Sequence, residues 1–470
     1  MKAFDIRKVA IIFVMINLVS FGLCFLNHNI WYDETYTMAL VRHSYVDIWS
    51  ITANDVHPPL YYFIVRSCML VLGFSLYAAR ILSLIPFLLL LLAGITKIRK
   101  MFGEDVSYLF LILCSALPAM LRLELEARMY MWAMLFVLLT GLYAYEAIES
   151  NRISKWLGLA FMSLLAAYTH YYALLAVAIL YGLIFVVIMI RQRKLVLNWL
   201  LSGVMVLAGY LPWLTKLLGQ MNKVSKDYWI TKPTLFEIAK YIVYPFHIVE
   251  QLIPTLIAGI LLLPLLVVII KNIRRNYKSK EALFGIITFM VLFLVIGVGI
   301  LVSFLVKPVF VARYMAVTFG LVWLGMAIFL EKASEQSIKR ILILLLSVLL
   351  LESAGQCVYE NSNSFRQMEE LSNNMDQDAS IIVSDTHSLG IASYYFDHKI
   401  YALNNQEQLA AFEPKMQFAS SEEILNMAGK YYYITADAKT VKGGFKDRAE
   451  WIQDIEIEDH IYHIYLIKKN

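Results

Sequence analysis

Five short polar clusters stand out from an otherwise apolar chain. Trp31-Tyr-Asp-Glu-Thr35 places two adjacent carboxylates, Asp33 and Glu34, just after the first long apolar run. A carboxylate within hydrogen-bond reach of a hydroxyl is a general base. The structural alternative has Asp33 capping a helix that runs through Trp49, with Trp31 and Tyr32 in the aromatic belt, and local pattern alone favours it. In Asp55-Val-His-Pro-Pro-Leu-Tyr-Tyr62 two prolines make a rigid lead-in to the next helix, aiming Asp55 and His57 at one place, or simply make a turn. Glu124-Leu-Glu-Ala-Arg-Met-Tyr130 brings Glu124, Glu126 and Arg128 to the start of an apolar run, where an arginine otherwise snorkels to the lipid headgroups. Thr169-His-Tyr-Tyr172 and Val311-Ala-Arg-Tyr314 add His170 and Arg313. Singly, each of these two is an ordinary anchor at a helix end.

The elements that position these clusters are membrane helices. The 470 residues are 60% hydrophobic and 16% charged, against about 45–50% and 25% in soluble domains, and the mean hydropathy is +0.64. A soluble globular chain and a disordered chain are both excluded. Apolar runs at Val9–Leu26, Ile81–Ile98, Val106–Leu121, Met129–Ile148, Trp156–Tyr171, Tyr172–Ile190, Val196–Leu214, Leu252–Ile270, Ala282–Val306, Met315–Leu330 and Ile338–Leu351 approach the 17–25 residues a crossing needs. Leu60–Phe74 is short and carries Arg66 near its middle. If it does not cross, Lys97/Arg99/Lys100, Arg152/Lys155, Arg191/Arg193/Lys194, Lys271–Lys280 and Lys332–Arg340 all fall inside, as the positive-inside rule requires. The expected fold is therefore an α-helical multi-pass membrane protein of about eleven spans, with interfacial helices in the first outer loop. All five polar clusters then share the outer face, where ionisable residues are hard to dismiss as anchors.

The chain changes character at Gln356. From there to Asn470 acids outnumber bases by 18 to 10, a net −8 inside a chain of net +5. The basic excess thus belongs to the membrane part and argues for no nucleic acid. Ser380–Ser384, Tyr431–Ile434 and Ile461–Ile467 read as strands, and Phe365–Met375 and Glu422–Ala428 as helices between them. The expected organisation is a catalytic membrane domain over 1–355 and a small α/β extracytoplasmic domain over 356–470. Cys24, Cys68, Cys114 and Cys357 have no CxxC spacing and imply neither a disulfide framework nor a metal site. After Arg7 and Lys8 the first apolar run has no cleavage motif and reads as an anchor.

Together, the early Asp-Glu, the His-Pro-Pro-Leu-Tyr-Tyr and the Glu-Ala-Arg-Met-Tyr segments resemble the GT-C glycosyltransferases of family 39, relatives of protein O-mannosyltransferases and lipid A aminoarabinose transferases. The resemblance runs over roughly 9–314 and leaves the tail undiagnosed. It implies transfer of a sugar, with inversion, from a polyprenyl-phosphate donor to a glycan, lipid or protein acceptor on the non-cytoplasmic face of the cell membrane. Asp33 matches the first-loop aspartate taken as the base, and Glu34 its acidic neighbour. His57 stands where aminoarabinose transferases carry a lysine before Pro-Pro-Leu, a position associated with the donor phosphate. Glu126 and Arg128 lie near the second outer loop, where relatives place another active-site acid.

Chemistry adds Arg128 and Arg313 as partners for a leaving phosphate, with His57 in support and the Lys223/Lys226 loop next in line. Asp55, Tyr61, Tyr62, Tyr130, His170, Tyr171 and Tyr314 are candidates to border the sugar. No cofactor is demanded, although Asp33 and Glu34 could seat a hard divalent cation. A multi-pass transporter or flippase is the competing class, and would place its ionisable groups near the bilayer midplane in repeated, broken helices. A polysaccharide polymerase or ligase is a third reading; a long outer loop late in the chain would favour it, whereas here the long early loop carries the motifs.

Overall fold

Long apolar segments in lipid have one open-chain solution, the helix, because every backbone group must be satisfied within the segment. The computed structural model describes residues 5–26, 29–224, 230, 232–246, 266, 267, 270, 271, 274, 279–332, 336–360, 364–403, 410–427, 429–436, 441, 443–457 and 460–468. Among these, eight helices are long and apolar enough to cross a membrane: Ile6–Cys24, Leu76–Phe102, Tyr130–Ser150, Tyr171–Arg191, Arg193–Asn222, Lys280–Leu305, Ala312–Glu331 and Arg340–Tyr359. The pair Glu104–Ala116 and Pro118–Leu125, bent by 66°, meets the same test together, and Ile153–Thr169 is a shorter apolar helix. Ten of the eleven expected spans thus have helical counterparts. The eleventh, Leu252–Ile270, falls almost wholly outside the described residues, as do Lys226 and the side chain of Lys223. Leu60–Leu72 has 13 residues, about 20 Å of helix, and is too short to cross the roughly 30 Å hydrocarbon core.

The chain packs into two compact units. The first comprises Met1–Leu23, Val56–Tyr61 and Arg80–Gln356. Its helix Ala312–Glu331 is 94% buried over its apolar window, which explains a segment apolar on every side. Two breaks in the helical run matter for function. Pro118 cannot extend the helix before it, so Leu117 is extended and the short helix Pro118–Leu125 sets off at an angle, delivering the chain to Glu126–Arg128. His170 is likewise extended, between Ile153–Thr169 and Tyr171–Arg191.

The second unit comprises Cys24–Asp55, Tyr62–Ala79 and Cys357–Asn470. Its sheet has strands β1 (Ser380–Val383), β2 (Lys399–Ala402), β3 (Met416–Phe418), β4 (Tyr431–Thr435), β5 (Ala449–Ile457) and β6 (His460–Ile467), in the order β3-β2-β1-β4-β6-β5. The first four are parallel, and β6 and β5 close the sheet antiparallel. Ile382 of β1 lies between Tyr401 and Tyr433 in the register, and all three enter a core with Tyr431, Phe445 and Tyr465. Every residue of β4 is buried, as a central strand requires.

The first-loop part of this unit corrects the single helix expected from Asp33 through Trp49. There are two helices, Tyr32–Leu40 and Tyr45–Asn54. Ser44 starts the second by accepting the Asp47 N–H at 3.1 Å. The first begins after Trp31, so Asp33 occupies its opening turn rather than its cap. Arg66 Nη1 donates to the Val41 carbonyl just past that helix, at 3.0 Å, with its guanidinium 5.2 Å from the Tyr45 ring centroid. The arginine that argued against a crossing therefore serves a helix C-terminus, where cations are favoured.

Candidate active site

In the first unit the most constrained polar contact joins His57 to Arg128. His57 Nδ1 lies 2.9 Å from the Val56 carbonyl, and His57 Nε2 lies 2.9 Å from Arg128 Nη2. A carbonyl only accepts and a guanidinium only donates, so the proton sits on Nδ1 and the imidazole is neutral. Arg128 keeps its charge at only 2% exposure. The loop beneath it is fixed by Glu126, whose carbonyl accepts both the Arg128 N–H at 2.7 Å and the Ser83 hydroxyl at 2.6 Å. The Glu126 carboxylate takes Arg122 Nε at 3.1 Å. Glu124, the one acid spaced to pair with Arg128 along a helix, is buried and instead accepts from Asn17 Nδ2 at 3.5 Å. Arg128 is not half of a surface helix pair.

Aromatic rings pack around His170. Its ring centroid lies 5.5 Å from Tyr130, 5.3 Å from Tyr314 and 6.0 Å from both His57 and Tyr172. Tyr172 stacks on Tyr314 at 5.0 Å and donates to the Val309 carbonyl at 2.8 Å. His170 Nδ1 accepts the Tyr172 N–H at 3.1 Å, capping the following helix and leaving the proton on Nε2 as a donor. Burial holds the His170 pKa well below its ordinary value of 6.5, and the neighbouring His57, Arg128 and Arg313 reinforce the shift. Burial also pushes the Tyr244 hydroxyl up; Glu126 adds to this while Arg122 and Arg313 oppose it. Arg313 is thus within electrostatic range of both ends of the cluster.

A histidine that is harder to protonate when folded makes stability depend on pH. Below about 6.5 the unfolded chain binds a proton that the folded chain refuses, so stability rises with pH and this contribution is complete above the ordinary value. The melting temperature in detergent is therefore expected to fall between pH 7 and pH 5, and to fall less in His170→Gln. An equal fall in both proteins would assign the loss to other groups.

Asp33, Glu34 and Asp55 belong to the second unit. There Glu34 is buried, and burial, followed by the charge of Asp55, pushes the Tyr36 hydroxyl up. Tyr61 is buried in the first unit and Tyr62 in the second. Tyr171 turns away from His170 to donate to Gln220 Oε1, and its hydroxyl accepts Trp213 Nε1 at 3.0 Å. Tyr172, Arg122 and Tyr244 join the cluster without having been singled out. Arg80, buried in the helix Leu76–Ala93 one turn before Ser83, was also missed. A charged residue beside an apolar span is the signal that marks it. Among the described residues no three His, Cys, Asp or Glu side chains are grouped to hold a metal ion.

Residues 56–215 match the family described as dolichyl-phosphate-mannose-protein mannosyltransferase. That segment holds His57, Arg128, Tyr130 and His170, while Asp33 and Arg313 lie outside it. The whole chain superposes on ArnT from Cupriavidus metallidurans bound to undecaprenyl phosphate, with a TM-score of 0.62 and 10% identity over 97% of each chain. The chain has an ArnT-like fold. The apo form of the same ArnT gives a TM-score of 0.51 at 12% identity, again over 97% of each chain. The archaeal oligosaccharyltransferase AglB from Archaeoglobus fulgidus, in complex with an inhibitory peptide and a dolichol-phosphate, also gives 0.51 at 12% identity, over 91% of this chain and 69% of its own. No curated protein sequence matches the chain. Within this fold, the segment matched by the family contains the buried Arg128 and its partner His57.

Proposed function

We propose that this chain is a multi-pass membrane glycosyltransferase that moves a sugar from a polyprenyl-phosphate donor to an acceptor on the extracytoplasmic face, with inversion. The observation that carries the reading is the buried Arg128, held by a neutral His57 and bordered by His170 and tyrosines, inside the segment matched by a lipid-phosphate-dependent family. ArnT and AglB, which share the fold, are described with undecaprenyl phosphate and dolichol-phosphate. A transporter is not favoured by these relatives.

The roles follow from charge. The acceptor hydroxyl attacks the anomeric carbon opposite the phosphate, its proton passes to Asp33, and the bond from anomeric carbon to phosphate oxygen breaks. The products are the glycosylated acceptor and the prenyl phosphate. The phosphate begins as a monoanionic diester and leaves with a second negative charge, so cations act more strongly on the transition state than on the bound donor. Arg128 and Arg313 supply them, with the Nε2–H of His170 as a neutral donor. Tyr130 and Tyr314 offer ring faces to the sugar, and Glu126 fixes the loop that carries Arg128. The positive-inside distribution of Lys and Arg supports the extracytoplasmic placement of the first loop and the tail.

The test is a panel of prenyl-phosphate sugars offered to the full chain in lipid vesicles, with product mass, anomeric configuration and prenyl-phosphate release as readouts. One donor is expected to give an inverted product with stoichiometric release of prenyl phosphate. Transfer from nucleotide sugars alone, or substrate movement across the bilayer without turnover, would overturn the reading.

A further inference from the structure

We propose that the helix Thr386–Tyr395 of the C-terminal sheet sets the position of Asp33 and Glu34, with Gly390 as the positioning residue. This rests on the reading of Asp33 as the base. Within the second unit the helix Tyr32–Leu40 packs on Thr386–Tyr395. A Cβ at Gly390 would meet Tyr32 Cδ2 at 2.8 Å and Thr35 Cβ at 3.3 Å, with Thr35 Oγ1 closer still. That hydroxyl cannot easily swing aside, because it donates to the Tyr32 carbonyl at 2.7 Å. Glycine is a poor helix former, and Gly390 sits in the middle of a ten-residue helix with a negative φ. Local stability would favour alanine there; close approach of the acidic helix requires glycine.

Four further ties fix the same helix along its length. The Tyr395 hydroxyl accepts the Ile30 N–H at 3.1 Å, ahead of it. His43, just past its end, lies 3.0 Å from the Ala411 carbonyl and must donate to it. Between them Tyr32 packs against the His387 ring at 4.8 Å and Tyr36 against Phe412 at 6.1 Å. A nine-residue helix has little stability of its own in water. The two carboxylates therefore hold their place by docking on the tail, and the part of the chain with no motif of its own becomes part of the catalytic apparatus.

The experiment uses the full chain in lipid with the donor found in the panel. Gly390→Ala is expected to lower kcat by about tenfold to a hundredfold, the scale of a misplacement near 1 Å. The KM for the donor should stay within about twofold, since no donor contact is removed. Amide exchange across 32–40 should accelerate. Adding Thr35→Ala to Gly390→Ala removes the closest obstruction, the hydroxyl, and should recover part of both exchange and turnover, the Tyr32 ring contact remaining; a general defect of the sheet would allow no recovery. Wild-type turnover and exchange in Gly390→Ala, or failure of the double variant to recover either, would overturn the proposal. Active Asp33→Asn alongside loosened 32–40 in Gly390→Ala would instead remove the base assignment and leave the docking in place.

Discussion

Asp33→Asn is expected to insert, fold and hold donor as the native chain does, and to transfer almost no sugar. The substitution keeps the size of the side chain and removes only its charge and basicity. In the opening turn of the helix Tyr32–Leu40, losing a negative charge costs about 0.3–1 kcal/mol of helix-dipole stabilisation, too little to unfold a chain of this size. Losing a general base costs about a hundredfold to ten-thousandfold in rate. The two effects are well separated, so an unchanged melting temperature with turnover below about 1% is the expected pair of results. Near-normal turnover would remove Asp33 from the mechanism. Glu34, its buried neighbour, would be the next acid to test.

The second large effect is expected at Arg128. Lysine keeps the charge but loses the planar fork, and with it the geometry that places one guanidinium nitrogen 2.9 Å from His57 Nε2. Each charge-assisted hydrogen bond is worth about 1.5–3 kcal/mol, roughly ten- to a hundredfold in rate, and Arg128→Lys should lose at least one. Arg313→Lys is the paired measurement, because its charge reaches the same cluster. If both lysine variants kept native turnover and donor affinity, the phosphate would be held elsewhere. The neutral tautomer of His57 also bears on the lysine that the family resemblance leads one to expect before Pro-Pro-Leu: His57 accepts from Arg128, so its partner carries the positive charge.

The membrane helices were legible because lipid leaves few choices: length, apolarity and the basic loops predicted ten helices among the described residues and a Leu60–Leu72 too short to cross. The strands β1, β4 and β6 were legible as apolar runs. Missed were β2 and β3, only four and three residues long, and β5, which mixes Glu450, Asp454 and Glu456 into an edge strand with one side in water. The helix Thr386–Tyr395 was missed too, since its small residues reflect a partner distant in sequence. At the site, His57 and Arg128 were chosen for their chemistry, but their contact spans 71 positions and no local pattern encodes it. Tyr171 was preferred to its neighbour Tyr172, and consecutive helical residues point about 100° apart; the cap made by His170 decides which ring joins it.

The packing of Tyr32–Leu40 on Thr386–Tyr395 also has a meaning in time. The acidic helix leaves the ribosome roughly 350 residues before its support does, which at about 5–20 residues per second is some tens of seconds. During that interval a nine-residue segment has no sheet to lie against and too few turns to persist alone. A chain stalled or clipped before β1 would carry all its spans and the segment matched by the family, yet its two carboxylates would be unplaced. With Asp33 as the base, a chain cut before β1 is expected to insert in the membrane and to transfer no sugar.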